Sequence, residues 1–165
     1  MKIIVRVILV AAAATLAFWL WTILFPGPEK IIRKQLTGLA HTVSFSQDEN
    51  DLLKMASAEG VADFFSTNVE VDITIPGHEQ QSITGHDGIT QAALLSRQAV
   101  ASLAVKFPDV NVTVAPDKNS ATADVTVEAD VSGEHDAVFQ EVKFTFVREN
   151  GHWLISKLET VRVLS

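Results

Sequence analysis

Histidines and carboxylates are the chemistry-bearing residues of this chain, which contains five histidines and twenty aspartates and glutamates but neither cysteine nor tyrosine. One grouping that could do chemistry is His78, Glu79, His86 and Asp87, the last two set between glycines in the run Gly85-His86-Asp87-Gly88. Imidazole and carboxylate groups are good ligands for zinc or manganese. A glycine-bracketed turn at a helix start can also cradle a phosphate with converging backbone N–H groups. The spacing argues against both. No pair of ligands stands at the i, i+4 spacing of one helix face, and a complete G-x-G-x-x-G or G-x-x-x-x-G-K-[ST] pattern is absent. Local physics accounts for the whole run: Gly85 permits a turn, Asp87 can cap orphan N–H groups or favour the positive helix end, and Ile89 begins a buried face. The run is therefore read as a corner into a helix, with no metal and no cofactor.

The elements that position these residues must come from a chain of 165 residues, 47% hydrophobic, which is one domain's length plus whatever the N-terminus adds. Residues 7–25, VILVAAAATLAFWLWTILF, contain no charge, and at about 1.5 Å per residue they match the ~30 Å of a bilayer's hydrocarbon. They read as a membrane helix running from Val7 through Leu16, Trp19 and Trp21 to Phe25. The tryptophans suit the lipid–water interface, and Pro26-Gly27-Pro28 stops the helix as it leaves. A secretory signal peptide is the competing reading, because residues 1–6 are basic. Its small-residue cleavage site would have to be Ala11-Ala12-Ala13-Ala14, inside the run, and would leave FWLWTILF on the mature protein.

Lys2 and Arg6 favour a cytoplasmic N-terminus by the positive-inside rule, whereas Lys30, Arg33 and Lys34 on the far side pull the other way. The expectation is a single-pass anchor in residues 1–28 and a domain in residues 29–165 on the periplasmic or extracellular side, with the lipid bilayer as one partner. The chain's formal charge is −7; without Lys2 and Arg6 the rest carries 11 basic and 20 acidic residues, a formal −9. That field repels a phosphate backbone, so nucleic acid is excluded as a partner. The absence of cysteine excludes disulfides, thiolate metal sites and a cysteine nucleophile.

Ile32, Leu36, Leu39 and Val43 recur at helical spacing over residues 29–45. Ser46-Gln47-Asp48-Glu49 has the S-x-x-E form of a capping box and predicts a second helix with Leu53, Ala56, Gly60 and Phe64 on one face. Val69, Val71, Ile73 and Ile75 then alternate with polar residues as in a half-buried strand, ended by Pro76-Gly77. The Gly85–Gly88 corner opens a third helix carrying Ile89, Ala92, Ala93, Leu94 and Leu95. Beyond Ala101 the period is two: Val110, Val112 and Val114; Ala121 to Val131; Val138, Val142, Phe144 and Phe146; Trp153, Ile155, Val161 and Val163. Turns at Pro116-Asp117-Lys118-Asn119, Ser132-Gly133-Glu134 and Asn150-Gly151 force antiparallel neighbours, the last pair being the type I′ hairpin dipeptide. The fold class is α+β, with helices on one face of a curved antiparallel sheet.

The order α-α-β-α-β-β-β-β resembles the NTF2-like superfamily, which includes SnoaL-like and ketosteroid-isomerase-like domains. "AEGVADFFSTNVEVDI" is similar to its second helix running into its first strand, "ITGHDGITQAAL" to the opening of its third helix, and "FTFVRENGHWLISKLETVRV" to its closing hairpin. The resemblance covers about residues 31–164. It implies a cone of three helices on a curved antiparallel sheet, preceded here by one transmembrane helix, with a mouth that can hold a small apolar ligand. Some members do acid/base chemistry, many only bind or dimerise, and a few are bitopic assembly factors of type IV secretion channels, whose layout this chain matches best.

Active members place an Asp, a His or an Asp-Arg set inside the cone, which makes His41, Asp72 and Arg97 the weak catalytic candidates here. Each has a plain alternative. His41 lies opposite the apolar face of its helix, Asp72 lies on the polar side of its strand, and Arg97 stands late in its helix, where a cation favours the dipole. Without tyrosine, the ketosteroid-isomerase type of oxyanion hole cannot be assembled. Thr122, Asp124, Thr126, Glu128 and Asp130 form a wholly polar strand face that Glu141, Lys143 and Thr145 continue, so a dry face-to-face dimer is disfavoured. The expectation is a membrane-anchored binding or assembly module, an accessory or scaffold subunit among other membrane-complex subunits. The alternative is a SnoaL-like isomerase, dehydratase or hydrolase acting on a small apolar substrate.

Overall fold

The structure is a computed structural model and describes residues 11–17, 19, 27–74, 80–133 and 136–161. Residues 11–17 and 19 are helical. Of the anchor positions, Leu16 and Trp19 are described and are 62% and 64% exposed; Val7, Trp21 and Phe25 lie outside the described residues. No helix among the described residues is long and apolar enough to cross a membrane.

Three helices follow: α1 (Pro28–Val43), α2 (Asp51–Ala62) and α3 (Gly85–Ala99). Pro28 sits at the first position of α1, where its missing N–H costs nothing. Ile32, Leu36, Leu39 and Ala40 give α1 its buried face. The helix stops at Val43 because Ser44 turns extended and Phe45 pairs with Leu103, exchanging N–H···O bonds of 2.8 and 3.0 Å.

The start of α2 departs from the capping box expected at Ser46 and Glu49. The cap is Asn50, whose side-chain oxygen accepts from Leu53 N at 2.9 Å, which leaves the Glu49 carboxylate free to turn towards Arg97. The buried face also differs from the one expected. Ala58, Val61 and Ala62 are buried, whereas Leu53 is exposed and the first turns of α2 stand outside the core.

The sheet has six strands, β1 (Phe65–Ile73), β2 (Gln81–Thr84), β3 (Leu103–Val114), β4 (Ser120–Val131), β5 (Val138–Glu149) and β6 (His152–Thr160), in the order β2-β1-β6-β5-β4-β3. It is not wholly antiparallel: β1 runs parallel to β6, because residues 74–151 intervene before the chain returns beside it. β2 was not foreseen, being four residues long and largely exposed. The hairpin at Asn150-Gly151 has φ of 49° and 85°, as a type I′ turn requires.

Among the described residues, two bulges interrupt the antiparallel pairs. Lys106 pairs with Glu128 but Asp109 with Thr126, so Phe107 and Pro108 occupy one partner's space on the edge strand, where proline is tolerated. On β6, Ile155 pairs with Phe146 and Lys157 with Thr145, leaving Ser156 extra; its hydroxyl donates to Thr145 O at 3.2 Å. Beyond that bulge the inward face passes to Leu158, which packs on the core, instead of continuing on odd-numbered positions. Val161 is half-buried and Val163 lies outside the described residues.

Among the described residues, Phe144, Phe146, Ile32, Leu36, Ile155 and Val69 are the largest fully buried side chains, and they belong to one core cluster of helix and strand residues. Phe107 meets Phe144 edge-on at 6.0 Å, the arrangement the ring quadrupoles favour.

Candidate functional site

The Gly85–Gly88 corner is built for packing. Gly85 has φ +72°, which only glycine adopts without strain. His86 Nε2 donates to Phe65 O at 2.7 Å. That carbonyl needs a partner because β1 leaves β6 at this point: Phe65 pairs with Ile155 and Glu70 with Lys157, so residues 66–69 stand opposite Ser156 alone. A Cβ on Gly88 would come within 2.9 Å of Ile83 Cγ2, which is the reason for the second glycine. Thr84 caps α3 without a side-chain bond, and Asp87 lies exposed in the first turn. Its favourable contact is thus with the helix dipole, in place of a capping bond. His78 and Glu79, the other half of the metal grouping, lie outside the described residues. Among the described residues no three His, Asp or Glu side chains converge.

Arg97 is 4% exposed. Its Nη2 donates to Thr42 O at 2.8 Å and its Nη1 to Ala93 O at 3.4 Å, while the guanidinium lies 4.9 Å from the Phe45 ring centroid. Glu49 Oε2 is 3.7 Å from Nε. Arg97 thus joins the ends of α3 and α1 to the connection that follows α1. Sequence reasoning placed it correctly late in α3 but missed its burial, which the residues at 42, 45 and 49 create from a distance.

His41 is exposed on the last turn of α1. Asp72 is half-buried, beside Glu159 and Ser82 on the sheet face turned away from the helices. Glu141 is exposed on that same outer face, paired with Thr126. The three catalytic candidates His41, Asp72 and Arg97 are therefore distributed over a helix surface, the outer sheet face and a buried inter-helix joint.

The outer face carries the polar strand residues in register, with Thr122 beside Thr145, Asp124 beside Lys143 and Thr126 beside Glu141. Lys157 and Glu159 on β6 continue it, with Nζ to Oε2 at 2.8 Å. The hydrogen bond and charge of Glu159 hold the Lys157 ammonium above its ordinary value; desolvation opposes them, and the charges of Asp72 and Glu70 add smaller contributions.

A groove of about 620 Å³ lies at the opposite end of α1 from Arg97. Ile31, Lys34 and Gln35 of α1 form one wall, Asp63 and Phe64 after α2 another, and residues 151–154 of the last hairpin the third. Gln35 Nε2 donates to Trp153 O, and Ile155 N to Phe64 O at 2.9 Å, which fixes the three segments together. Gly38 lets Phe64 lie close: a Cβ there would stand 3.3 Å from the ring. No local signal in the sequence marks this groove, because its walls come from positions about thirty and ninety residues apart.

No protein-family model and no curated protein matches the chain. Solved structures do. An NTF2-like protein of unknown function from Pseudomonas putida KT2440 aligns at a TM-score of 0.60 and 11% identity over 81% of this chain and 85% of its own. The yeast UBP3-associated protein BRE5 aligns at 0.63 and 14% over 86% and 100%. A protein provisionally named scytalone dehydratase from Novosphingobium aromaticivorans aligns at 0.58 and 16% over 81% and 84%. With the strand order and the three helices, these similarities show the NTF2-like α+β fold.

Proposed function

We propose that the chain is a membrane-anchored NTF2-like binding or assembly module, an accessory or scaffold subunit of a membrane complex on the non-cytoplasmic side. The observation that carries this reading is the run of 19 uncharged residues, 7–25, which ends just before Pro28, the first residue of the folded domain. The separation of His41, Asp72 and Arg97 supports binding over chemistry, since acid/base work needs its groups within hydrogen-bond reach of one substrate. The fold itself hosts many functions and decides neither way.

A second reading, a dehydratase-like, isomerase or hydrolase activity on a small apolar substrate, draws support from the fold neighbour provisionally named scytalone dehydratase. Alkaline carbonate washing of membranes, with protease added from the non-cytoplasmic side, tests the first. The domain should stay with the pellet and be digested from that side. Release into the wash, or full protection, would refute it.

A further inference from the structure

The groove beside α1 lies at the point where the N-terminal segment joins the domain. Ile31 and Lys34 lie within the first two turns of α1, so at about 1.5 Å rise per residue they are within ~10 Å of Gly27 along the helix axis. On the anchored reading, a bilayer surface near Gly27 lies within reach of this groove. Its walls are amphipathic: Ile31 is 40% exposed, Phe64 packs on Gly38, and Lys34 supplies an ammonium. Lys30, Arg33 and Lys34 place three of the chain's thirteen cations within five positions. The outer sheet face carries Glu70, Asp72, Asp124, Glu141 and Glu159 against Lys143 and Lys157, an acidic excess that an anionic membrane would repel.

Resting on the anchored reading above, we propose that the groove seats an anionic phospholipid of the bilayer that holds the anchor. The phosphate pairs with Lys34, and the glycerol and upper acyl carbons lie against Ile31, Phe64 and Leu154. Asp63 on the facing wall keeps the phosphate on the Lys34 side by charge repulsion. A volume of about 620 Å³ falls within the roughly 300–1,000 Å³ of small-molecule sites, room for a headgroup with its glycerol and upper acyl carbons. The same lipid gives a role to Lys34, a cation that on the non-cytoplasmic side runs against the positive-inside trend; Arg33 is held instead by Glu29 and the Val110 carbonyl.

Trp153 lines the groove, and the chain's other two tryptophans are Trp19 and Trp21, so the full-length double variant Trp19→Phe/Trp21→Phe carries one reporter. It is reconstituted in vesicles of phosphatidylcholine, with or without phosphatidylglycerol, containing lipid brominated in the upper acyl chain. Trp153 emission should be quenched when phosphatidylglycerol is present and recover on adding Lys34→Glu, whose fold is checked by circular dichroism; Lys34→Gln should give an intermediate recovery. Unquenched Trp153 in protein that resists carbonate extraction would overturn the lipid seat while leaving the anchor standing, as would a second copy or the chain's own apolar segment shielding the groove. Equal quenching in pure phosphatidylcholine would also overturn it. Protein that floats free of the vesicles would overturn both readings.

Discussion

Arg97 donates from Nη2 to the carbonyl oxygen of Thr42 at 2.8 Å, fastening the last turn of α3 to the last turn of α1. The carbonyls at a helix C-terminus are among its orphan acceptors, and a buried cation satisfies one of them while complementing the dipole. Removing the side chain also strips Glu49 of its cation and Phe45 of its guanidinium neighbour. Arg97→Ala should cost about 3 kcal/mol, the scale for breaking a buried charge pair from one side. Arg97→Lys should recover only part, because an ammonium cannot bond two carbonyls and stack together. Urea titration reads this directly, and full stability in Arg97→Ala would contradict the structural role.

His86 supplies the partner that Phe65 O lacks where β1 swings away from β6. His86→Ala should cost about 1 kcal/mol, the net worth of one hydrogen bond, and leave partner binding unchanged. Ile89→Asp should unfold the domain, since Ile89 is 6% exposed in the core and a buried unpaired carboxylate is far more costly. A His86→Ala variant that folds normally but loses function would restore the corner as a site.

Gly88 and Gly85 should fail for different reasons. Gly88→Ala puts a methyl 2.9 Å from Ile83 Cγ2 and should cost about 1–3 kcal/mol by overpacking. Gly85→Ala meets only Thr67 O at 3.6 Å but must adopt φ +72°, a cost of about 1–2 kcal/mol. Adding Ile83→Ala should rescue the first variant relative to its own background and leave the second unaffected, as a double-mutant cycle in thermal unfolding would show.

Lys157 sets a pH dependence at the alkaline end. Glu159 holds its folded-state ammonium above the ordinary 10.5, so its stabilising contribution is complete below 10.5 and is lost as pH rises through the folded value. The stability gap between wild type and Lys157→Met should stay constant from neutral pH to 10.5 and narrow above it. Denaturant midpoints across that range check the sign; a gap that narrows as pH falls from 10.5 to 7 would contradict it.

Much of the fold is legible in local pattern. Ile32, Leu36 and Leu39 mark α1 by spacing, the alternating valines and alanines mark β4, and Asn150-Gly151 fixes the β5–β6 hairpin because both positions need positive φ. What escapes depends on partners distant in sequence. β2 is an edge strand, Gln81 to Thr84, with no apolar alternation and gains its identity from pairing with β1. The bulges at Ser156 and at Phe107-Pro108 are visible only in the register of the neighbouring strand. Asn50 caps α2 in place of Ser46, and Glu49 lies towards Arg97, a residue nearly fifty positions on, instead of closing a box. Arg97 and the Ile31–Phe64–Trp153 groove are likewise products of assembly, so no local motif announced either.

The most direct test of an anchored assembly module is the native mass of the full-length protein released from its own membranes in mild detergent. The particle should be larger than a protomer with its micelle and contain other membrane-complex subunits identified by mass spectrometry. A protein that emerges alone and monomeric would contradict it.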